Sequence, residues 1–578
     1  MITDHFPFSS YRKHQDFVLT QIEDYWESYD HFILEAPTGF GKSPVAYATA
    51  RWLYNEHSEL SHILVADKYL QEQYLSYDGV EIVKGRNNFL CSIPSPYLTE
   101  FGREAHQVTC DMGPCTIIPN FVCPYKPRVE LDEVGVARDE FGVIYTFEET
   151  ATPPCPYMVQ KHKAIRSPIT IHNYHYFLYE MNLGGRGFSH RKLGVLDEAH
   201  AIENILMDFV QEYVSLRRLN RIFDYFGYAA LMNIPDINTV DDWAKWVGEI
   251  RERLEEVTHS KLYTSLRRVK EITLRDARVF TLLNTYLNRL NVLKIELNVN
   301  PDNWVWERNE RAVVFKPVLV DKYVRRNLLK HVDKTIMMSA TILDHEVFCR
   351  YLGIDKGDVK FIRIGESNFP VDNRPLIQDY QGKATYKRMD SYLPKVLQRL
   401  DEHYIPTHLE EKGVIHTHTN KIADYILRNS RYRAYMMSNV GNEESREDVF
   451  QEFFDKDPPC IMVTPSMRMG IDLHGDRCRW QVIVKVPFPS LGDPQIRKRV
   501  DLDQRWYDWQ TLISLIQTYG RGCRSEDDYC ETYILDQVFP VLVRRNERIL
   551  PRWFLTAIKR STYVPLGTKN RIIRSAVQ

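Results

Sequence analysis

Long apolar runs are missing from this chain of 578 residues, and pieces such as HFILEAP and CIMVTP are no longer than single strands. A membrane span is therefore not expected. The first residues, MITDHFPFSS, carry no basic stretch followed by an apolar one, so no secretory signal is expected either. Charge of one sign is not in excess. The net charge of −2 excludes a uniformly basic nucleic-acid coat, but 75 Lys and Arg can still line a channel. Repeats, low-complexity tracts and long linkers are absent as well. Cysteine is scarce, with 10 in all, and the intracellular, reducing setting expected here disfavours disulfides.

What is present is ordinary globular material, 44% hydrophobic and 26% charged. The length exceeds one core and suggests about three or four domains. HFILEAPTGFGKSPVAYATA (31–50) reads as a strand, a small-residue loop and a helix. Its centre, Ala36, Pro37, Thr38, Gly39, Phe40, Gly41, Lys42 and Ser43, fits the phosphate-loop template with Ala36 in place of the usual first Gly. Backbone N–H groups at the helix start can cradle phosphates, Lys42 can reach the β and γ oxygens, and Ser43 can hold Mg²⁺. Pro44 is compatible, because the first helical turn has no use for its missing N–H.

KLGVLDEAH (192–200) supplies the other half of such a site. It is a buried-strand run ending in two carboxylates and a histidine. Asp197 at the strand end can bind Mg²⁺ through water, and Glu198 is placed to activate an attacking water. A strand that merely ends in acids is the bland alternative, and the two motifs in this order weigh against it. Arg521 and Arg524, in QTYGRGCRS (517–525), suit the charge that builds on a γ-phosphate, provided a second lobe delivers them when a cleft closes. The alternative there is a pair of surface arginines on an amphipathic helix.

Between these motifs the cysteines crowd. Cys91, Cys110, Cys115, Cys123 and Cys155 fall in a Pro- and Gly-rich stretch with little material for a core of its own, so something must staple it. Their spacing is irregular and lacks a C-x-x-C pair. After the DEAH residues, about 206 to 327, Trp243, Trp246, Val247, Ile250, Leu254 and Val257 recur at helical steps. LRRVKEITLRDARVF (266–280) adds basic residues that are a solvated face or part of a nucleic-acid path. From residue 373, strand–helix alternation resumes through KGVIHTHTNKIADYI (412–426) and WQVIVKVPFP (480–489).

The phosphate loop and DEAH box resemble superfamily 2 helicases. So do VADKYLQEQY (65–74), the Ser339, Ala340 and Thr341 of KTIMMSATIL (334–343), VTPSMRMGIDLHGD (463–476) with Gly470 and Asp472, and Gln517, Gly520, Arg521 and Arg524. The order of phosphate loop, cysteine insertion, DEAH box and helical insertion is similar to one group within them, the iron–sulfur helicases of the XPD/DinG family. KGRNNFLC (84–91), the Asn-Tyr-His-Tyr element at 173–176 and FPFSSYRKHQ (6–15) add to it. Thr419 departs mildly, standing where the family has Ser.

The resemblance implies an α/β fold of two RecA-like parallel-sheet motor domains, with an iron–sulfur insertion and a helical arch-type insertion in the first. The implied layout is helicase domain 1 at 1–90, 165–205 and 328–372, the cluster insertion at 91–164, the arch at 206–327 and helicase domain 2 at 373–578. It implies ATP and Mg²⁺ as cofactors, with Lys42, Asp197, Glu198, Gln517, Arg521 and Arg524 catalytic. Arg12, Gln15, Gly470 and Asp472 would join residues 36–43 around the nucleotide. A [4Fe–4S] cluster is implied on Cys91, Cys115, Cys123 and Cys155. Cys91 and Cys155 have family-like flanks, and Cys123 opens CPYK, which resembles the family's third ligand. Cys110 is the alternative to Cys115, and zinc on four thiolates is the alternative to iron.

The activity expected is ATP-driven 5′→3′ movement on single-stranded DNA with unwinding at duplex junctions, by a monomeric motor without a membrane. A DNA-stimulated translocase that unwinds little, or a structural subunit of a repair or transcription complex, are the other readings. Intact motor residues speak against the last.

Overall fold

Strands whose two faces are both covered by helices read as unbroken apolar runs rather than alternations, and two sheets of this kind organise the chain. The computed structural model describes residues 1–66, 68–93, 108–117, 121–133, 135–183, 187–266, 274–440, 446–465 and 473–565. The first sheet holds β1 (His31–Glu35), β2 (Ser61–Val65), β3 (Val80–Val83), β4 (Ile169–Asn173), β5 (Arg191–Asp197), β6 (Val332–Ser339) and β7 (Val359–Arg363). Their spatial order is β7-β1-β6-β5-β2-β4-β3, and every pairing is parallel. Phe32, Ile33, Leu34, Val195 and Ile336 are fully buried between the helix layers.

The register decides where chemistry can occur. Glu35 pairs with Ser339 and Asp197 with Met338, so the carboxyl ends of β1, β6 and β5 lie side by side. Loops leaving these three ends emerge together, at the edge where open α/β sheets bind ligands.

The second sheet holds β8 (Leu376–Gly382), β9 (Lys412–His416), β10 (Met436–Ser438), β11 (Cys460–Thr464), β12 (Trp480–Ile483), β13 (Glu531–Asp536) and β14 (Ile558–Arg560). It is again all parallel, in the order β10-β11-β9-β12-β13-β8-β14. The helix Gln504–Tyr519 carries this lobe onto the first one. Trp509 Nε1 donates to Ile342 O at 2.8 Å, and the Trp506 and Trp509 rings pack on Tyr351.

Two segments interrupt the first sheet. The one between β3 and β4 carries three short antiparallel strand pairs, among them Arg128–Val129 with Tyr145–Thr146, and the five clustered cysteines. The one between β5 and β6 buries the expected helical stripe, with Trp243, Val247, Ile250, Leu254 and Val257 inside helix Val240–Thr258. It is not helical throughout. Glu212–Ser215, Ala312–Pro317 and Trp304–Asn309 form a three-stranded antiparallel sheet, which a search for helical periodicity passes over. Among the described residues no helix is long and apolar enough to cross a membrane.

Candidate active site between the two sheets

The loop after β1 is built for an anion. Gly39 and Gly41 take φ of +81° and +82°, the left-handed region that only glycine occupies cheaply. Gly41 then caps helix Lys42–His57, whose first N–H groups face the cleft. The loop is fixed from both sides. A Cβ on Gly39 would lie 2.0 Å from the Phe369 ring, and Gln15 Nε2 donates to the carbonyls of Phe40 and Gly41 at 2.9 Å each. Arg12 Nη1 donates to Gly39 O at 2.7 Å. Arg12 and Gln15 thus brace the backbone of residues 36–43. Lys42 Nζ reaches Ala36 O at 3.4 Å, and among the described residues no carboxylate pairs with it.

Asp197 ends β5 and is nearly buried; its carboxylate accepts the Glu198 N–H at 2.9 Å. Ser43 faces it across the cleft floor through Tyr74. The fully buried Tyr74 brings its hydroxyl beside both, where burial, then Asp197, push its pKa well above the usual phenol value. That hydroxyl has no hydrogen-bond partner among the described residues. A hydroxyl, a carboxylate and an unsatisfied phenol fit a hydrated Mg²⁺, which Ser43 and Asp197 would hold. Tyr74 closes VADKYLQEQY; its role is invisible in sequence, because only the fold brings it under the phosphate loop.

Glu198 sits at φ +51°, a strained conformation for a non-glycine residue that persists where its surroundings enforce it. Desolvation opposes its ionisation. The hydrogen bond and charge of His200, with Lys42 and Arg524, outweigh that and hold its pKa at about 2. Glu198 is therefore a carboxylate at neutral pH, ready to orient and deprotonate water.

A line of polar contacts leads from Glu198 into the second lobe, opening on its close approach to His200. His200 Nδ1 lies 3.2 Å from Glu198 Oε2 and 2.9 Å from Ser339 Oγ. Ser339 Oγ accepts the Thr341 N–H at 3.1 Å, and Gln517 Nε2 donates to Thr341 Oγ1 at 2.7 Å. Gln517 belongs to the helix Gln504–Tyr519 of the second lobe. The two arginines that follow this helix are not a solvated helix face. Arg521 is 8% exposed and lines the cleft with Gln517, His200 and His416, while the charge of Arg524 reaches Glu198. The cleft here has a volume of about 350 Å³. His416, buried beside Arg521, is held near pKa 4, mainly by desolvation. Gly470 and Asp472 lie outside the described residues.

The five cysteines meet as thiols, none in a disulfide. An isolated bridge between Leu90 and Thr109 sets Cys91 and Cys110 on facing strands, with Cys91 N–H donating to Val108 O and Cys110 N–H to Phe89 O, both at 2.8 Å. Cys155 caps helix Pro156–Arg166. Cys110 lies against Cys155 and Cys91, whose thiols are held down at about 6 and about 7 while its own is pushed up. Cys115 and Cys123 form a second contact, with Cys115 held at about 6. Gly113 packs closely on the first group, where a Cβ would come 3.0 Å from Cys91 Sγ. Among the described residues no three or more His, Cys, Asp or Glu side chains are drawn into a group that could hold a metal as they stand. The donor chemistry, soft thiols of which Cys91, Cys115 and Cys155 are held down and Cys110 and Cys123 pushed up, nonetheless suits iron or zinc.

Comparison with known proteins agrees with this geometry. Residues 412–556 match the family model described as a helicase C-terminal domain. The probable ATP-dependent helicase MJ0942 of Methanocaldococcus jannaschii is 20% identical, over 95% of this chain and 94% of that protein. The ATP-dependent DNA helicase YoaA of Haemophilus influenzae is 21% identical, over 89% and 88%. A solved XPD helicase structure superposes with a TM-score of 0.61 at 14% identity, covering 96% of this chain and all of that one. Along nearly its whole length the chain is thus similar to ATP-dependent helicases, and its fold is that of a solved XPD helicase. A second structure, Xpd4 of S. tokodaii, shares the fold at a TM-score of 0.54, with 12% identity over 95% of this chain and all of that one. The chain thus has its phosphate loop, Asp-Glu-Ala-His turn and arginine-bearing helix end at one cleft.

Proposed function

We propose that this helicase hydrolyses ATP to move 5′→3′ along single-stranded DNA and to part duplex at junctions. The observation that carries the reading is the line of polar contacts from Glu198 through His200, Ser339 and Thr341 to Gln517. It joins the water-activating carboxylate to the opposite lobe, so hydrolysis and lobe movement are mechanically one event. Lys42 binds the β and γ oxygens, Ser43 and Asp197 hold Mg²⁺, Glu198 takes the proton of the attacking water, and Arg521 and Arg524 stabilise the γ-phosphate charge. Gly470 and Asp472 complete the nucleotide site in this reading. Partial duplexes with one single-stranded tail test it. Unwinding is expected only with a 5′ tail and ATP–Mg²⁺, and binding is expected to weaken as salt rises and phosphate contacts release counterions. Unwinding from 3′ tails alone would reverse the polarity. Stimulated hydrolysis without strand separation on either tail would leave a translocase.

The proposal includes a [4Fe–4S] cluster on Cys91, Cys115, Cys123 and Cys155, which would staple a segment too poor in apolar residues to fold on its own core. Cys110, in contact with both Cys91 and Cys155, is the thiol that most directly challenges this set. Iron and acid-labile sulfide in anaerobically purified serine variants decide between them. Cys115→Ser is expected to lose both, along with unwinding, and to keep much of its DNA-independent ATPase. Cys110→Ser is expected to stay brown. The reverse pattern moves the ligand to Cys110, and zinc without iron in the wild type removes the cluster.

A further inference from the structure

The segment between β5 and β6 carries arginines that the motor cleft does not use. Arg217, Arg218 and Arg221 lie on helix Leu216–Phe226, and Arg278 on helix Leu274–Val299. All four line a single concave site of about 450 Å³ together with Tyr213. They are exposed, and among the described residues none of the four is in an ion pair. Four solvated surface arginines would spread apart or pair with nearby acids, since like charges gathered in one hollow repel. Two acids nearby are engaged elsewhere. Glu212 is buried against Arg289 at 3.4 Å, and Asp276 accepts from the Tyr225 hydroxyl.

The hollow is also built rather than accidental. The Tyr286 hydroxyl accepts the Ser215 N–H at 3.2 Å, which fixes the long helix against strand Glu212–Ser215. Arg218 stands 5.5 Å over the Tyr213 ring, and Tyr213 is 45% exposed. Positions 278, 282, 286 and 289 share one face of the long helix at helical steps, and Arg289, paired with Glu212, closes that face beyond the hollow.

Guanidinium groups converging on one concavity recognise phosphate oxygens, in bidentate fashion where the geometry allows. A single carboxylate would leave most of this charge unanswered. An exposed aromatic ring beside arginines is the composition that holds single-stranded nucleic acid, with phosphates on the cations and a base on the ring. We propose that this arginine hollow is a second nucleic-acid contact of the helicase, taking backbone phosphates of a single strand outside the motor cleft, with Tyr213 as the stacking face for a base. The choice of polymer rests on the helicase reading; the phosphate chemistry stands on the hollow itself.

The test is equilibrium binding of a labelled oligothymidylate to the full chain without ATP, measured against salt. The double variant Arg221→Ala/Arg278→Ala is expected to bind about ten-fold more weakly. Its slope of log affinity against log salt should be shallower by about 1.4, at about 0.7 for each phosphate of a single strand left without its guanidinium. Arg221→Lys/Arg278→Lys should regain the slope and only part of the affinity, because the charge returns without the planar fork. Thermal melting and DNA-independent ATPase of both variants should match wild type, showing that the fold and motor are intact. Pyrophosphate serves as the free-anion arm. Oligonucleotide binding unchanged in the alanine variant while pyrophosphate binding is abolished would overturn the nucleic-acid assignment in favour of a small anion. No change in either would overturn the site. Wild type that binds no oligonucleotide would take down the helicase reading and this proposal together, whereas a failure confined to the variants removes this proposal alone.

Discussion

Lys42→Ala should lose ATP hydrolysis by at least about 10²–10³-fold, the scale for removing one preorganised charge from a transition state, while single-stranded DNA still binds. Lys42 caps no core and pairs with no carboxylate among the described residues, so the variant should fold and melt like wild type. Glu198→Gln should fall by about 10²–10⁴-fold, the usual contribution of a positioned base, but in a different way. Its nucleotide site stays built, so it should retain ATP and stall with the lobes closed. Glutamine also removes the negative charge that His200, Lys42 and Arg524 surround. Nucleotide affinity should therefore hold or rise in Glu198→Gln and fall in Lys42→Ala. Single-turnover hydrolysis with separate nucleotide binding checks both. Wild-type turnover in Lys42→Ala would sink the phosphate-loop assignment, and wild-type turnover in Glu198→Gln would place water activation elsewhere.

The parts of this site legible in sequence are those that chain order alone arranges. A strand, a glycine loop and a helix start, followed by a second strand ending in Asp197 and Glu198, can be read without a fold, because each motif carries its own local geometry. The sheet order then supplies what sequence cannot. In sequence Ser339 is only one member of a motif, and the pairing of Asp197 with Met338 is what brings it to His200. Tyr74 and Phe369 look like ordinary aromatics until the fold sets one under Ser43 and the other on Gly39. The strands at Glu212–Ser215 and Ala312–Pro317 are hidden because their partners lie across almost the whole insertion. Pairings between residues so distant in sequence leave no periodic trace. The same holds for the arginine hollow, where a helix at 216–226 and another at 274–299 contribute together.

Replacing Arg499 by Met should be the most destabilising single change outside the sheets. Arg499 lies on helix Pro494–Leu502 of the second lobe, and Glu203 on helix Ile202–Val210, which starts directly after the DEAH turn. Both side chains are 3% exposed and form an ion pair. Arg499 also donates to Val318 O, while Gln510 Nε2 and Trp506 Nε1 donate to the other Glu203 oxygen at 3.0 and 3.4 Å. Two further ties sit beside the pair, Lys316 with Asp493 at 2.9 Å and Gln495 Nε2 with Pro317 O at 2.6 Å. Removing the guanidinium leaves a carboxylate buried without its cation, a loss of about 3–5 kcal/mol. Exchanging both partners for apolar residues, Glu203→Leu with Arg499→Met, should recover part of this, because an apolar pair needs no counter-charge. Recovery stays incomplete, since the Gln510 and Trp506 donors then lose their acceptor. Denaturant unfolding of the two single variants and the double variant closes the cycle. The pair also has a mechanical role, because it clamps the second lobe to the helix that begins at the Glu198 turn. Arg499→Met should therefore lose DNA stimulation of its ATPase at temperatures where it is still folded. A single variant that unfolds at the wild-type midpoint would show that the lobes are held by their apolar contacts, with Trp509 on Ile342 and Tyr351 carrying the joint instead.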